Sequence, residues 1–307
     1  MTQILVVAGP TASGKTGTAV RLAQEFGGEV ISADSMQIYK HMDIASAKPT
    51  QEEMQGIPHH LMDFVSPFEP FSVADYVKLA REKIAEIASR GKLPIVAGGT
   101  GLYISSLVDN IQFTEEATDP SVRERLQKQA ETEGILALYS RLQELDPAAA
   151  EKIHPNNTKR VVRALELYEI TGMTITEQNE RSRILPPPFS AFMLALFPER
   201  ERLYERINLR VDQMAEAGLF EEAEKLRQMG LTKEMQSMQG IGYKEAFDCL
   251  DGLTNREECL DIIKQATRHY AKRQLTWFRR DERYHWVNPE EEGSLRAALE
   301  EFTWQNL

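Results

Sequence analysis

An apolar run, Ile4-Leu5-Val6-Val7-Ala8, passes without a break into Gly9-Pro10-Thr11-Ala12-Ser13-Gly14-Lys15-Thr16, which satisfies G-x-x-x-x-G-K-[ST] at every position. A buried strand, a glycine-rich turn and the start of a helix form the setting in which this pattern holds phosphate. The glycines let the backbone wrap the anion, and the first helical amides point at it. Lys15 adds a point charge, and the Thr16 hydroxyl is placed to hold Mg²⁺ beside the phosphate oxygens. A chance turn after a core strand would leave the pattern and both its flanks unexplained. The chain is expected to bind a di- or triphosphate.

At 307 residues the chain suffices for one large α/β domain or for a core with a smaller insertion. Its two cysteines, Cys249 and Cys259, form neither a disulfide framework nor a metal-ligand pattern, so a reduced, cytoplasmic protein is expected. No apolar stretch approaches the length of a membrane span. The net charge of −11 argues against a protein that coats nucleic acid indiscriminately. It leaves room for a local basic groove, because binding follows the distribution of charge rather than its sum. Basic residues do cluster, at Lys159-Arg160 with Arg163, and at Arg268, Lys272-Arg273, Arg279-Arg280 and Arg283.

The hydrophobic pattern places a helix at 14–26 and a second buried strand at 29–34, which delivers Asp34 to its end. A mostly polar loop follows to residue 58, then a strand at 60–65. Ser72 caps a helix that runs to Arg90 on the stripe Val73, Val77, Ala80, Ile84 and Ile87. Another core strand, 93–97, leads into Gly98-Gly99-Thr100-Gly101. Strand, helix and strand at this spacing mean a parallel sheet. From residue 119 the pattern turns helical: 119–133, 135–145, 147–153 and 157–171. The fold expected is therefore α/β, a P-loop parallel-sheet core flanked by helices (1–115 and 190–307) with a mostly helical insertion at 116–189. Pro186-Pro187-Pro188 forms a stiff return. Beyond it come a strand at 191–197, helices at 199–217, 219–229, 242–250 and 254–281, a short strand at 284–287, and a last helix.

Ligands of an open parallel sheet bind beyond the C-terminal strand ends. The phosphate loop, Asp34 and Gly98-Gly99-Thr100 converge there. A lone Asp after a strand usually caps the next turn. Beside a phosphate loop, and followed by the polar Ser35-Met36-Gln37, the other reading is preferred: it holds Mg²⁺ or takes a proton from an attacking group. The basic segment 268–280 interleaves cations with aromatics. On one helix Arg268, Lys272, Arg279 and Arg283 would share a face, as a solvated surface or as a strip of phosphate contacts. These residues alone leave a small-molecule P-loop kinase and other transferases open.

Taken together, further segments carry a resemblance. The phosphate loop, then Ile31-Ser32-Ala33-Asp34-Ser35-Met36-Gln37-Ile38-Tyr39, Met42-Asp43-Ile44 and Ala47-Lys48-Pro49 resemble the bacterial tRNA dimethylallyltransferase family. So do Pro58-His59-His60-Leu61, Gly98-Gly99-Thr100, His154-Pro155-Asn156, Arg160 with Arg163-Ala164-Leu165-Glu166, Gly242-Tyr243, and Arg268 through Trp277. The matches run in order along nearly the whole chain.

The resemblance implies an enzyme that transfers a dimethylallyl group from dimethylallyl diphosphate to the exocyclic amine of adenosine 37, next to the anticodon of tRNA, with Mg²⁺ as cofactor. A loop that reads as nucleotide- or ATP-binding would then hold a prenyl diphosphate through Gly9, Pro10, Thr11, Ala12, Ser13, Gly14, Lys15 and Thr16, the last also touching the metal. Asp34, Thr11 and Arg123 are the implied catalytic residues. The implied tRNA contacts are Asp34, Ser35, Met36, Gln37, Thr100, Arg123, Lys159, Arg160, Arg163 and the run Gln239, Gly240, Ile241, Gly242, Tyr243 and Lys244. The partner is the anticodon stem-loop, and the protein is expected to be a monomer, with no zinc and no membrane contact. A prenyltransferase of free adenine nucleotides and a non-catalytic tRNA-binding protein are the remaining alternatives.

Overall fold

The structure, a computed structural model, describes residues 1–113, 119–291, 293–300 and 302. The chain divides into two compact units: Met1–Val108 with Pro188–Leu307, and Asp109–Pro187.

The larger unit opens with β1 (Thr2–Ala8), α1 (Lys15–Phe26), β2 (Gly28–Ser32), α2 (Gln51–Met54), β3 (His59–His60), α3 (Val73–Ser89), β4 (Leu93–Gly98) and α4 (Gly101–Val108). The smaller unit is helical: α5 (Pro120–Thr132), α6 (Ile135–Leu145), α7 (Pro147–Lys152), α8 (Thr158–Thr171) and α9 (Ile175–Arg181). The larger unit resumes with β5 (Phe189–Leu196), α10 (Arg200–Glu216), α11 (Leu219–Gln228), α12 (Tyr243–Leu250), α13 (Arg256–Phe278), β6 (Tyr284–Val287) and α14 (Ser294–Leu299).

The described strands form one parallel sheet in the order β3-β2-β4-β1-β5-β6. Helices cover both faces, which is why β1 reads as an unbroken apolar run rather than an alternating one. Ile4, Val6 and Ala8 enter the larger core with residues of α3, α4, α11 and α13. Leu5 and Val7 enter the other, against Ala19, Leu22 and Ala23 of α1. The strand order decides where the site forms. Because β4 lies between β2 and β1, the loops that leave these three strands emerge side by side.

Two sequence expectations need correction. The strand expected at 60–65 is only His59–His60, with an isolated bridge from Val65 to Tyr39. Leu61 and Asp63 have φ of 57° and 56°, left-handed values that no strand accommodates. Lys48 Nζ, donating to Asp63 Oδ1 at 2.7 Å and to the Tyr39 carbonyl at 2.5 Å, is among the groups that hold this loop. Secondly, α13 ends at Phe278, so Arg283 shares no helical face with Arg268 and Lys272 and instead pairs with Asp281 at 2.6 Å.

The helical unit has its own core, built from Leu126, Leu138, Leu142, Val161 and Leu165 among others. It spans Asp109–Pro187, against the 116–189 read from sequence. The expected start at 116 lies outside the described residues. Asn110 Nδ2 donates to the Pro186 carbonyl at 2.7 Å, and Gln112 N to the Ser182 carbonyl at 2.9 Å, closing the ends of the unit on each other from residue 110 onward.

Candidate active site

The phosphate loop leaves β1 at Ala8 and enters α1 at Lys15. Gly14 turns the chain with φ 88°, a left-handed value that any side chain would strain. Ser13 is fully buried, and its Oγ has no hydrogen-bond partner among the described residues. A buried hydroxyl left unsatisfied inside a glycine-rich loop is a group that an anionic oxygen would complete. Lys15 Nζ donates to the carbonyl of Pro10 at 2.6 Å. Burial pushes the Lys15 pKa down to about 8, with Asp34 opposing the shift and Arg210 adding to it.

Asp34 follows the end of β2. Its Oδ1 accepts from Met36 N at 2.9 Å and Gln37 N at 3.4 Å, so the capping turn is real. Oδ2 accepts no hydrogen bond among the described residues and remains available for chemistry. The turn is braced from β4: Thr100 Oγ1 accepts from Ser35 N at 3.0 Å, and Thr100 N donates to the Ala33 carbonyl at 3.1 Å. This contact requires Gly98, where a Cβ would come within 2.1 Å of the Ala33 oxygen.

Thr11, Lys15, Thr16 and Asp34 line one cavity of about 690 Å³ in the larger unit. Its wall also includes Tyr270 and Arg273 of the basic segment of α13, and two residues that sequence reasoning did not single out, Arg206 and Arg210 of α10. Burial lowers the Arg210 pKa, while Glu53 and Asp34 act against that shift. The only sequence signal for these arginines was their i, i+4 spacing beside the buried Leu203, Ile207 and Val211. Such spacing marks an arginine face without saying whether water or a cavity lies opposite.

Of the expected tRNA contacts, Ser35, Met36, Gln37, Gln239, Gly240 and Ile241 line this same cavity. The Gln37 amide donates to the carbonyls of Ser46 and Ala47 at 3.3 and 3.0 Å. Lys244 is exposed at the start of α12. Tyr243 requires a correction. Its side chain is fully buried and its hydroxyl donates to Glu222 Oε1 at 2.7 Å, so it holds the fold and presents no surface to a nucleic acid.

Arg123, Lys159, Arg160 and Arg163 belong to the helical unit. There the buried Glu166 receives Arg123 at 2.9 Å and Arg163 at 3.0 Å. Lys159, Arg160 and Arg163 join Lys152 and Arg183 around a second cavity of about 670 Å³, whose apolar lining includes Ile153 and Ile175. Five cations around one apolar hollow suit a phosphate-bearing ligand.

No group of three or more His, Cys, Asp or Glu residues among those described could hold a metal ion. Mg²⁺ does not need one: it is commonly held by one or two protein oxygens together with substrate phosphates. The Thr16 hydroxyl and the Asp34 carboxylate, lining one cavity, are oxygen donors of that kind. Among the described residues no helix is long and apolar enough to cross a membrane.

A parallel α/β core, a phosphate cradle after β1 and a carboxylate after β2, one strand removed, define a P-loop group-transfer enzyme. Comparison with known proteins narrows the class. The family described as IPP transferase matches residues 37–281, and that described as isopentenyl transferase matches residues 2–66. A protein of Acetivibrio thermocellus named tRNA dimethylallyltransferase is 51% identical over 291 residues, covering 95% of this chain and 93% of its own. The solved tRNA isopentenylpyrophosphate transferase of Bacillus halodurans is 46% identical with a TM-score of 0.70, over 94% of this chain and 90% of that one. A solved eukaryotic dimethylallyltransferase acting on tRNA is 32% identical with a TM-score of 0.81, over 97% of this chain and 78% of the other. The chain belongs to the tRNA dimethylallyltransferase family, the IPP transferases.

Proposed function

We propose that this enzyme transfers a dimethylallyl group from dimethylallyl diphosphate to the exocyclic amine of adenosine 37 in tRNA and releases diphosphate. One observation carries the reading. Asp34 lines the same cavity as Lys15 and Thr16, with one carboxylate oxygen occupied by its turn and the other accepting none of the described hydrogen bonds. A phosphate cradle and a carboxylate free to act as a base thus line one cavity.

As the allylic carbon–oxygen bond breaks, negative charge grows on the diphosphate and positive charge on the allyl fragment. The loop amides, the Ser13 and Thr11 hydroxyls, Lys15 and Arg210 would stabilise the leaving group where its charge develops. Mg²⁺, held by the Thr16 hydroxyl, would neutralise part of that charge when bound. The adenine amine is a weak nucleophile, and Asp34 would take its proton as the new carbon–nitrogen bond forms. The acceptor base must leave the anticodon-loop stack to reach this cavity. Ser35 to Gln37, Thr100 and Gln239 to Ile241 would receive it. Arg123, Lys159, Arg160, Arg163 and Lys244 would hold tRNA phosphates.

The test incubates purified protein with radiolabelled dimethylallyl diphosphate and Mg²⁺, together with unmodified tRNA or with adenosine monophosphate. Label in the tRNA at adenosine 37 is the expected result. Label only in the mononucleotide, or phosphoryl transfer from ATP to a small metabolite without prenylation, overturns the reading.

A further inference from the structure

Gln274 of α13 is 5% exposed, and both ends of its amide are engaged. Oε1 accepts from Thr11 N at 2.9 Å, and Nε2 donates to the Gly99 carbonyl at 2.9 Å. The first partner belongs to the phosphate loop after β1, the second to the turn after β4. One helical turn earlier on the same helix, Tyr270 lies beside Thr100 and Gln274. Thr100 in turn accepts from Ser35 N, beside Asp34. Through Gly99 and its neighbour Thr100, these contacts join the diphosphate cradle to the turn that carries the carboxylate, and Gln274 is their joint.

The chemistry of the joint is specific. A carboxamide offers an acceptor and a donor side by side; a carboxylate lacks the donor, and a thioether is a weak acceptor with no donor. Gly99 is shaped to it, since a Cβ there would lie 2.3 Å from Gln274 Nε2. Gln274 meets the loop at Thr11, outside Lys15 and the rest of residues 13–16, so most of the cradle stays in place without it.

We propose that Gln274 is a positioning residue for prenyl transfer, fixing the distance between the phosphate loop and the Asp34 turn so that leaving group and proton acceptor act on one substrate alignment. The inference rests on the function proposed above. Misplacement by about 1 Å costs on the order of 10²-fold in rate, and the fault should appear in the transfer step rather than in binding.

The experiment measures dimethylallyl diphosphate affinity, the KM for tRNA and the single-turnover rate for the full chain and for Gln274→Met, Gln274→Glu and Gly99→Ala. Affinity and KM are expected within about threefold of the unaltered enzyme, and the rate lower by about 10- to 100-fold. Gln274→Glu separates positioning from mere packing. Its ionised carboxylate cannot donate to Gly99, but once protonated it both donates and accepts as the amide does. The ratio of its rate to that of the unaltered enzyme should therefore rise as the pH falls. Asp34, Lys15, Tyr270, Arg210 and Arg273 are the charged and ionisable groups around the same space, present in both proteins, so the ratio reports what the substitution introduces. Rates within about twofold of the unaltered enzyme for all three variants, a loss confined to diphosphate affinity, or a ratio indifferent to pH each overturns the proposal. Failure of the unaltered enzyme to prenylate tRNA would appear first, in the control, and sinks the functional reading on which the proposal stands.

Discussion

Lys15 Nζ donates to the carbonyl of Pro10 at 2.6 Å, within the loop whose end the lysine forms. The ammonium is held inside its own cradle, where burial lowers its pKa from 10.5 to about 8 despite the attraction of Asp34. An incoming diphosphate favours the charged form. Affinity for inorganic diphosphate should be flat below pH 8 and fall by up to about tenfold per pH unit above it. Stability runs the other way. Between pH 8 and 10.5 the unfolded chain holds the proton that the folded one has released, so the free protein gains stability as pH rises through that window. Lys15→Met should abolish both dependences, weaken diphosphate binding, and raise the melting temperature of the free protein at pH 7. Calorimetric titration and thermal unfolding across this range check the signs.

Asp34→Asn preserves the acceptor that Met36 N and Gln37 N use and removes only the base. Dimethylallyl diphosphate should bind with near-normal affinity while single-turnover transfer falls by roughly 10²–10⁴-fold. A rate close to normal would take Asp34 out of the mechanism.

Glu29, buried near the opposite end of β2 from Asp34, is an anchor for the fold rather than the site. Its carboxylate meets His60 Nε2 at 2.7 Å, Arg90 at 2.7 Å and Lys92 at 3.0 Å. Burial by itself would raise its pKa, but hydrogen bonds from His60 and Lys92 and the charge of Arg90 outweigh it and hold the pKa below the ordinary value. A depressed carboxylate contributes stability above its unfolded pKa and loses it as pH falls through the folded one. Glu29→Gln should cost about 1–3 kcal/mol at pH 7 and flatten the acid limb of the stability profile, with transfer activity unchanged. Urea unfolding at pH 3 to 7 measures both.

Lys159 and Arg160 line the basic cavity of the helical unit. If they meet tRNA phosphates, replacing either with alanine should weaken tRNA binding and reduce the slope of log affinity against log salt by about 0.7–0.9. Dimethylallyl diphosphate affinity should not change. An unaltered salt slope for tRNA would remove these residues from the interface.

The local architecture around the phosphate loop was legible in the sequence. The phosphate loop is contiguous and flanked by its own strand and helix, and Asp34 sits where the apolar strand before it runs out. Contiguous features survive in one dimension because backbone geometry at neighbouring residues creates them. At Asp34 the sequence favoured a role in chemistry over a capping turn, and the structure shows that turn, made with a single carboxylate oxygen.

What lay beyond the sequence was the assembly of distant segments. Gln274 reaches Thr11 across 263 residues of chain, and Arg210 faces Asp34 from a helix whose pattern is that of an ordinary amphipathic surface. An arginine on a helix has the same spacing whether it faces water or a cavity, so periodicity alone cannot place it. Likewise, only packing revealed that Tyr243 points inward to Glu222, and that left-handed residues cut short the strand after His60. The order β2-β4-β1 brought the three functional loops together, because non-local strand pairing rather than local preference decides which strand ends become neighbours.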